Sequence, residues 1–200
     1  MSNTEQTLHT LRTRGEAFLE AISAEYHAAY AGLKAEPAIQ PIYAAHAKAL
    51  DDEAFAQALD LFKATEGQGS ADAIGETGAA ATQRSARLLL DWLIESRVGR
   101  ELAALDEREM AWENAAVVRL ADGTEEPYQR LPITLGNTRD AKLRHVLDDA
   151  RAKLVMEQLA PMRQERFERE HDVVAKLGVA STYNATWEAL SGVSLSALRA

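Results

Sequence analysis

Hydrophobic residues recur at intervals of three and four along most of this chain, which is the spacing of amphipathic α-helices. The pattern predicts a first helix over about residues 5–33 and a second that begins near Pro41, because proline is tolerated in a first helical turn. A third helix is predicted after Asp51, since aspartate is a favoured N-cap residue. A long fourth helix is predicted over about residues 80–116.

The C-terminal part of the chain shows the same periodicity. A helix over about residues 138–159 is predicted to bury one apolar stripe, which consists of Leu143, Val146, Leu147, Ala150 and Leu154. The next helix begins near Pro161, is expected to bury Phe167 and Val174, and ends at Gly178. With a short last helix, the pattern predicts a mainly α fold, a bundle of about six to seven helices.

One stretch near residues 117–131 departs from the helical pattern. It starts with two adjacent β-branched valines and continues with Asp122-Gly123, a dipeptide typical of hairpin turns. Pro127 and Pro132 cannot donate a backbone hydrogen bond, so they confine the returning strand to an edge or reduce it to extended chain. The sequence therefore predicts one short β-hairpin between two long helices.

Glycines suggest how the helices are organised. Gly99 lies inside the long fourth helix, where it costs roughly 1 kcal/mol relative to alanine, so a kink or a close helix crossing is expected there. Residues 67–79 are rich in glycine and are predicted to be a flexible loop. This loop would separate an N-terminal helical layer, residues 1–66, from residues 80–200, which hold the long helix, the hairpin and the C-terminal helices.

Composition excludes several classes of function. The net charge of −9 argues against nucleic-acid binding, which usually requires a basic surface. The absence of cysteine excludes disulfides, zinc–thiolate sites and thiol nucleophiles. Apolar runs fall short of the roughly 20 residues that span a bilayer, and the first residues lack the pattern of a signal peptide. We therefore expect a cytoplasmic protein with neither a membrane nor a nucleic acid as partner.

Four residues are candidates for ligand binding. Arg139 and Arg144 could bind a substrate carboxylate, although surface salt bridges are the commoner role of such arginines. Glu170 and His171 are adjacent, which suits a general base or ligand with a carboxylate beside it. The alternative, which we favour, is a histidine packed at the boundary of the core. No catalytic residue and no metal ligand is predicted, because no H-E-x-x-H, G-x-S-x-G or Walker motif occurs.

A series of short motifs extends over about 80 residues from Trp112 onward. The motifs are Trp112-Glu113, Asp122-Gly123, Pro127-Tyr128, Asn137, Arg139-Asp140, Arg144, Ala150-Arg151, Leu159-x-Pro161, Glu168-Arg169-Glu170-His171, Leu177-Gly178, Tyr183 and Leu190-Ser191-Gly192. In this order they resemble the region upstream of the catalytic domain in M3-type zinc metallopeptidases, the group of thimet oligopeptidase and oligoendopeptidase F.

The resemblance implies a largely helical fold whose N-terminal helices wall a deep channel over a zinc site. Enzymes of this group cut short peptides, and their zinc is held by the two histidines of H-E-x-x-H and a downstream glutamate. That motif is not in these 200 residues, so no catalytic residue can be assigned. We expect no cofactor in this chain, and zinc only in a longer, complete enzyme.

Two hypotheses of different classes follow. The first is the N-terminal, substrate-channel-wall portion of an M3-like peptidase, not catalytic by itself, with a C-terminal catalytic domain or a peptide as partner. The alternative is a non-enzymatic helical module for protein interaction. The peptidase portion is expected to expose apolar surface where a catalytic half would dock, and to form homo-oligomers through it. A small enzyme that uses Glu170-His171 with Arg139 or Arg144 is a third, weaker hypothesis.

Overall fold

The computed structural model describes residues 3–65 and 78–199, and the predicted mainly α fold with one β-hairpin is confirmed. The α-helices are α1 (Asn3–Tyr30), α2 (Ile39–Ala45), α3 (Asp52–Thr65), α4 (Ala79–Ala115), α5 (Leu131–Asn137), α6 (Ala141–Leu154), α7 (Ala160–Lys176), α8 (Tyr183–Ser191) and α9 (Leu195–Leu198). The strands are β1 (Val117–Arg119) and β2 (Glu125–Pro127). In the described ranges, no helix combines the length and the apolar character needed to cross a membrane.

The chain divides into two compact units. Unit 1 comprises residues 1–23, 40–101 and 170–200, and unit 2 comprises residues 24–39 and 102–169. Each unit thus combines distant stretches of chain, whereas the segments predicted from the sequence, 1–66 and 80–200, follow chain order. The predicted loop at residues 67–79 lies almost entirely outside the described residues.

The core of unit 1 includes a close crossing of α2 and α4 at Gly99. The place where a Cβ atom would lie on Gly99 is already occupied by the hydroxyl group of Tyr43, a buried residue of α2. Any side chain at position 99 would therefore collide with this hydroxyl. The predicted close helix crossing is confirmed, and it explains why glycine is placed inside a long helix.

The start of α3 is stabilised as the sequence predicted. Asp51 Oδ1 accepts a hydrogen bond of 2.8 Å from the backbone N–H of Ala54, which is the geometry of an N-cap. Arg97 of α4 reaches the same helix end, where it donates to Asp52 Oδ1 at 2.5 Å and to the carbonyl oxygen of Asp51 at 3.2 Å. Its guanidinium lies 4.8 Å from the centre of the Phe55 ring. These contacts connect α3 and α4 within unit 1.

The hairpin lies in unit 2 and has antiparallel register, with Val117 opposite Pro127. Its turn uses Gly123 with a positive φ of 86°, and Asp122 accepts a hydrogen bond from the backbone N–H of Thr124 at 2.9 Å. The returning strand β2 lies at an edge of the two-stranded sheet, which is one of the two outcomes expected for it. The next helix was predicted only from about residue 138, whereas α5 already begins at Leu131. Proline at position 132 lies in the first turn of that helix, where no backbone N–H is required.

Helix α6 begins later than predicted and buries a narrower face. Its N-cap is Asp140, whose carboxylate accepts from the backbone N–H of Lys142 at 2.8 Å. Leu147 packs with Val118 and Leu131 in the core of unit 2. The other residues of the predicted stripe contribute less to this core. Ala150 and Leu154 are partly buried, whereas Leu143 and Val146 are exposed.

A π-helical turn, Val155–Leu159, joins α6 to α7. The prediction that Phe167 is buried is wrong, since more than half of it is exposed, whereas Val174 is fully buried as expected. Helical periodicity identifies apolar positions but not whether another element covers them. The predicted stop after α7 is confirmed by Gly178, which has a positive φ of 73°.

Candidate functional site

The predicted arginines belong to unit 2, where they lie near the junction of α5 and α6. Arg144 donates from Nη1 to the carbonyl oxygens of Thr138 at 2.7 Å and Arg139 at 3.1 Å. It therefore satisfies backbone acceptors that follow the end of α5. Arg139 is exposed on the short connection between the helices. A role of either side chain in ligand binding stays a prediction.

Glu170 and His171 belong to unit 1 and contact α8. The imidazole of His171 stacks on the Tyr183 ring with centroids 4.1 Å apart and planes at 4°. The Tyr183 hydroxyl donates to Glu170 Oε1 at 3.0 Å, and the Trp187 ring lies edge-on to Tyr183. This packing agrees with the role that we favoured for His171, a boundary position of the core. Ligand binding by this pair stays a prediction.

A different set of polar residues lines a cavity of 530 Å³ in unit 2, which we call the polar cleft. Its walls are formed by Tyr26, Tyr30, Asp106, Glu109, Met110, Glu113, Arg163 and Arg166. Each of three helices contributes a row of side chains that lie three or four residues apart and so share one helix face. The tyrosine row belongs to α1, the carboxylate row to α4 and the arginine row to α7. The local sequence therefore places each row on one helix face.

Ion pairs connect the carboxylate row to the arginine row. Arg163 bridges two carboxylates, with Nε 2.7 Å from Glu109 Oε1 and Nη2 3.2 Å from Glu113 Oε1. Arg166 donates from Nε to Asp106 Oδ1 at 2.7 Å. One guanidinium thus serves two carboxylates at the Glu109 end of the cleft.

The carboxylates lie deeper in the cleft than the guanidiniums. The side chains of Asp106, Glu109 and Glu113 are 14%, 17% and 21% exposed, against 54% for Arg163 and 37% for Arg166. Burial raises the pKa of Asp106, although the hydrogen bond from Arg166 opposes this effect. Burial, and then the negative charge of Glu109, likewise raises the pKa of Glu113.

Two tyrosines form the aromatic part of the cleft. The rings of Tyr26 and Tyr30 lie one helical turn apart, with centroids separated by 6.2 Å and planes at 17°. The Tyr26 side chain hydrogen-bonds to Asp106, whereas the Tyr30 side chain is 66% exposed. Partial burial, and then the negative charge of nearby carboxylates with Glu113 first, raise the pKa of Tyr30. The cleft therefore combines an accessible aromatic face with buried negative charge.

Helical periodicity did not identify this site. The alternating charges around Arg163 and Arg166 have the pattern of a solvated helix face, and tyrosines at helical spacing are more often typical of a core. The feature of the sequence that could have indicated the site is the set of three rows of tyrosine, carboxylate and arginine side chains, each with a spacing of three or four residues. Which rows face one another depends on how α1, α4 and α7 pack, and helical periodicity does not specify this.

A second cavity of 570 Å³ lies in unit 1 between α1 and α4 and forms a mainly apolar groove. Its apolar walls come from Leu8, Leu19, Leu88, Leu89 and Trp92. Leu19 and Leu88 are exposed, whereas the Trp92 ring packs against Gly15, where a Cβ atom would come within 2.7 Å of Cη2. At neither cavity, nor elsewhere in residues 3–65 and 78–199, do three His, Asp or Glu side chains converge as metal ligands do.

Lowering the pH is expected to stabilise the wild-type chain relative to the Asp106→Asn variant. Because burial raises the pKa of Asp106 above its ordinary value of 3.8, the folded chain takes up this proton at a higher pH than the unfolded chain. The unfavourable contribution of the buried carboxylate is therefore complete at neutral pH and disappears as the pH falls through the folded pKa towards 3.8. Urea unfolding of both proteins at pH 7 and at about pH 4.5 measures the difference.

Glu25 provides a control of opposite sign in the same unit. Its carboxylate accepts from Lys34 Nζ at 2.6 Å and from the Ala38 N–H at 2.5 Å, and the Lys34 hydrogen bond is the main reason that its pKa is lowered. Wild type should lose stability relative to Glu25→Gln as the pH falls from the ordinary value of 4.5 through the folded pKa. Each variant differs from wild type in its free energy of unfolding. If the differences for Asp106→Asn and Glu25→Gln changed with pH in the same way, the directions assigned to both pKa shifts would be contradicted.

Comparison of the chain with protein-family models, with curated proteins and with solved structures finds no match. The resemblance to M3-type metallopeptidases therefore stays a prediction.

Proposed function

We propose that this chain is a non-catalytic, peptide-binding portion of an M3-like metallopeptidase, and that it contributes part of the wall of the substrate channel. The observation that carries the proposal is the polar cleft of unit 2. Its volume of 530 Å³ lies within the range of about 300–1,000 Å³ typical of ligand sites. It presents hydrogen-bond acceptors, donors and an aromatic face, which suit the backbone and side chains of a short peptide.

The proposal is supported by contacts among the residues that carry the resemblance to M3-type metallopeptidases. The Trp112 ring packs edge-on against Tyr128, with centroids 5.1 Å apart, so two of the motifs meet in unit 2. Trp112 Nε1 also donates to Gln158 Oε1 at 2.8 Å, at the π-helical turn. The neighbouring residue of the first motif, Glu113, lines the cleft. These motif residues therefore both maintain the local fold and form the candidate site.

Exposed apolar side chains on α5 to α7 give further support. They are Ile133, Leu143, Val146, Met156 and Phe167. A chain that docks against a C-terminal catalytic domain is expected to expose such residues. A cytoplasmic location is part of the same proposal.

Zinc is not assigned to this chain. The H-E-x-x-H motif that would hold it is missing from the sequence, and the described residues offer no convergent set of three ligands. The described residues therefore do not fit a catalytic zinc site of this kind, and the proposal gives them no hydrolytic role.

The purified chain is expected to bind short peptides without cleaving them. Isothermal titration calorimetry with a panel of blocked pentapeptides measures binding, and mass spectrometry of the same mixtures with and without added Zn²⁺ measures cleavage. Zinc-dependent hydrolysis would contradict the non-catalytic role. Failure to bind any peptide of the panel would contradict the proposed function as a whole.

The apolar groove of unit 1 favours a second candidate function, that of a helical interaction module. Exposed Leu19 and Leu88 would be covered if the groove docked a second copy of the chain. Sedimentation velocity over a wide concentration range tests this alternative. A monomer at all concentrations would count against self-association.

A further inference from the structure

The polar cleft carries an excess of negative charge at a position where ligands can reach it. Three carboxylates face two guanidiniums, so the ionised side chains of the cleft sum to −1. The imbalance lies at Glu109 and Glu113, because both carboxylates depend on the single guanidinium of Arg163. A second cation at this end would complete the pairing that Arg163 provides only in part.

The exposed tyrosine provides a separate reason to expect a cation. Cations bind over the faces of aromatic rings, and a planar guanidinium also stacks on them. Tyr30 is largely exposed, and it lines the polar cleft together with Glu113. An aromatic face and a partly compensated carboxylate thus border the same space.

An anion fits this space poorly. Both guanidiniums already donate to carboxylates of the cleft, at 2.7 Å in each case for the Nε atoms. A ligand carboxylate bound by the other N–H groups of these arginines would lie beside the three carboxylates of the cleft, whose negative charge opposes it. A neutral side chain would leave the excess charge uncompensated.

We propose that the polar cleft binds a cationic group of a peptide, with the cation held between the Tyr30 ring and the carboxylates of Glu109 and Glu113. The inference rests on the proposed peptide-binding function and specifies its ligand class. The cation can be a guanidinium or ammonium side chain, or the free amino terminus of the peptide, since all three present N–H donors with a positive charge. Separate peptides distinguish these sources.

Matched peptides test the charge directly. Four amidated pentapeptides of alanine are compared by calorimetry: three are acetylated and carry arginine, lysine or citrulline at the centre, and the fourth has only a free amino terminus. Citrulline has nearly the shape of arginine but is neutral. We expect the arginine peptide to bind about tenfold or more tightly than the citrulline peptide, the range of a charge-assisted hydrogen bond. The lysine and free-amine peptides show which cation source is preferred.

Variants of the chain locate the binding site. Glu113→Gln and Tyr30→Leu should each weaken binding of the arginine peptide about fivefold or more, and by a larger factor than they weaken binding of the citrulline peptide. The matched control is Glu165→Gln, which removes the same charge from an exposed residue of α7 that pairs with Arg108 and does not line the cleft. Far-UV circular dichroism and thermal unfolding show whether each variant is folded.

Each outcome has a definite meaning. Equal affinity for the arginine and citrulline peptides would overturn the inference and leave the proposed function standing, whereas no binding of any peptide would overturn both. An equal loss of affinity for the arginine peptide in Glu165→Gln and Glu113→Gln would also overturn the inference, because the effect would then come from the overall charge of the chain. If a cleft variant fails to fold, the comparison of the two peptides on wild-type protein still decides.

Discussion

Replacement of Leu147 by alanine is expected to destabilise the chain by about 2–5 kcal/mol, whereas Leu143→Ala should cost less than about 1 kcal/mol. Both leucines lie on α6, one turn apart, and the sequence predicted both to be buried. Leu147 is 4% exposed and packs with Val118 and Leu131, whereas Leu143 is 43% exposed. Only the first substitution leaves a cavity in the core of unit 2.

The two variants form a matched pair, because the change in side-chain volume and the change in helix propensity are the same. Urea unfolding monitored by circular dichroism at 222 nm yields both free energies of unfolding. Comparable losses would show that the buried face of α6 is the wider stripe that the sequence suggested. Far-UV spectra of the folded variants confirm that the helix content is unchanged.

Substitution of Gly99 by alanine is expected to destabilise the chain by about 1–3 kcal/mol, although alanine favours helices by roughly 1 kcal/mol. The added Cβ would occupy the position of the Tyr43 hydroxyl. Tyr43 is buried, so its rigid ring cannot move aside without disturbing the core of unit 1. The steric cost should therefore exceed the gain in helix propensity.

A double-mutant cycle isolates this collision. In the Tyr43→Phe background the hydroxyl is removed, and the nearest ring atom, Cζ, lies 3.4 Å from the new Cβ. Gly99→Ala should then be close to neutral, which corresponds to a coupling free energy of about 1–3 kcal/mol. Additive effects of the two substitutions, measured by urea unfolding, would contradict the contact.

The features predicted correctly from the sequence depend on short stretches of chain. The hairpin follows from β-branched residues before Asp122-Gly123, and the cap of α3 follows from Asp51 itself. Gly99 indicated the close approach of another helix, because glycine destabilises the interior of a helix and is expected there when a neighbouring element leaves no room for a side chain. Helix α5, which the pattern did not predict, is also locally permitted, since proline at position 132 is compatible with a first helical turn.

The candidate site could not be predicted in the same way. Asp106, Glu109 and Glu113 form a row on α4 that is visible in the sequence, as do the arginines of α7. A row of charges has the same pattern whether it faces solvent or a row of opposite charge on another helix. The pattern therefore did not indicate the arginine row as part of a site, and the candidates chosen for ligand binding were Arg139, Arg144, Glu170 and His171.

The sequence by itself determined most of the helices, the hairpin and the residues that stop or cap them, because these depend on backbone preferences and hydrogen bonds between near neighbours. Only the tertiary structure decided which apolar residues are buried and which polar rows meet. Leu147 is covered and Leu143 is not because the hairpin packs on one side of α6. The polar cleft exists because α1, α4 and α7 each present a row of side chains to the same space, and burial there raises the pKa of Asp106 and of Glu113.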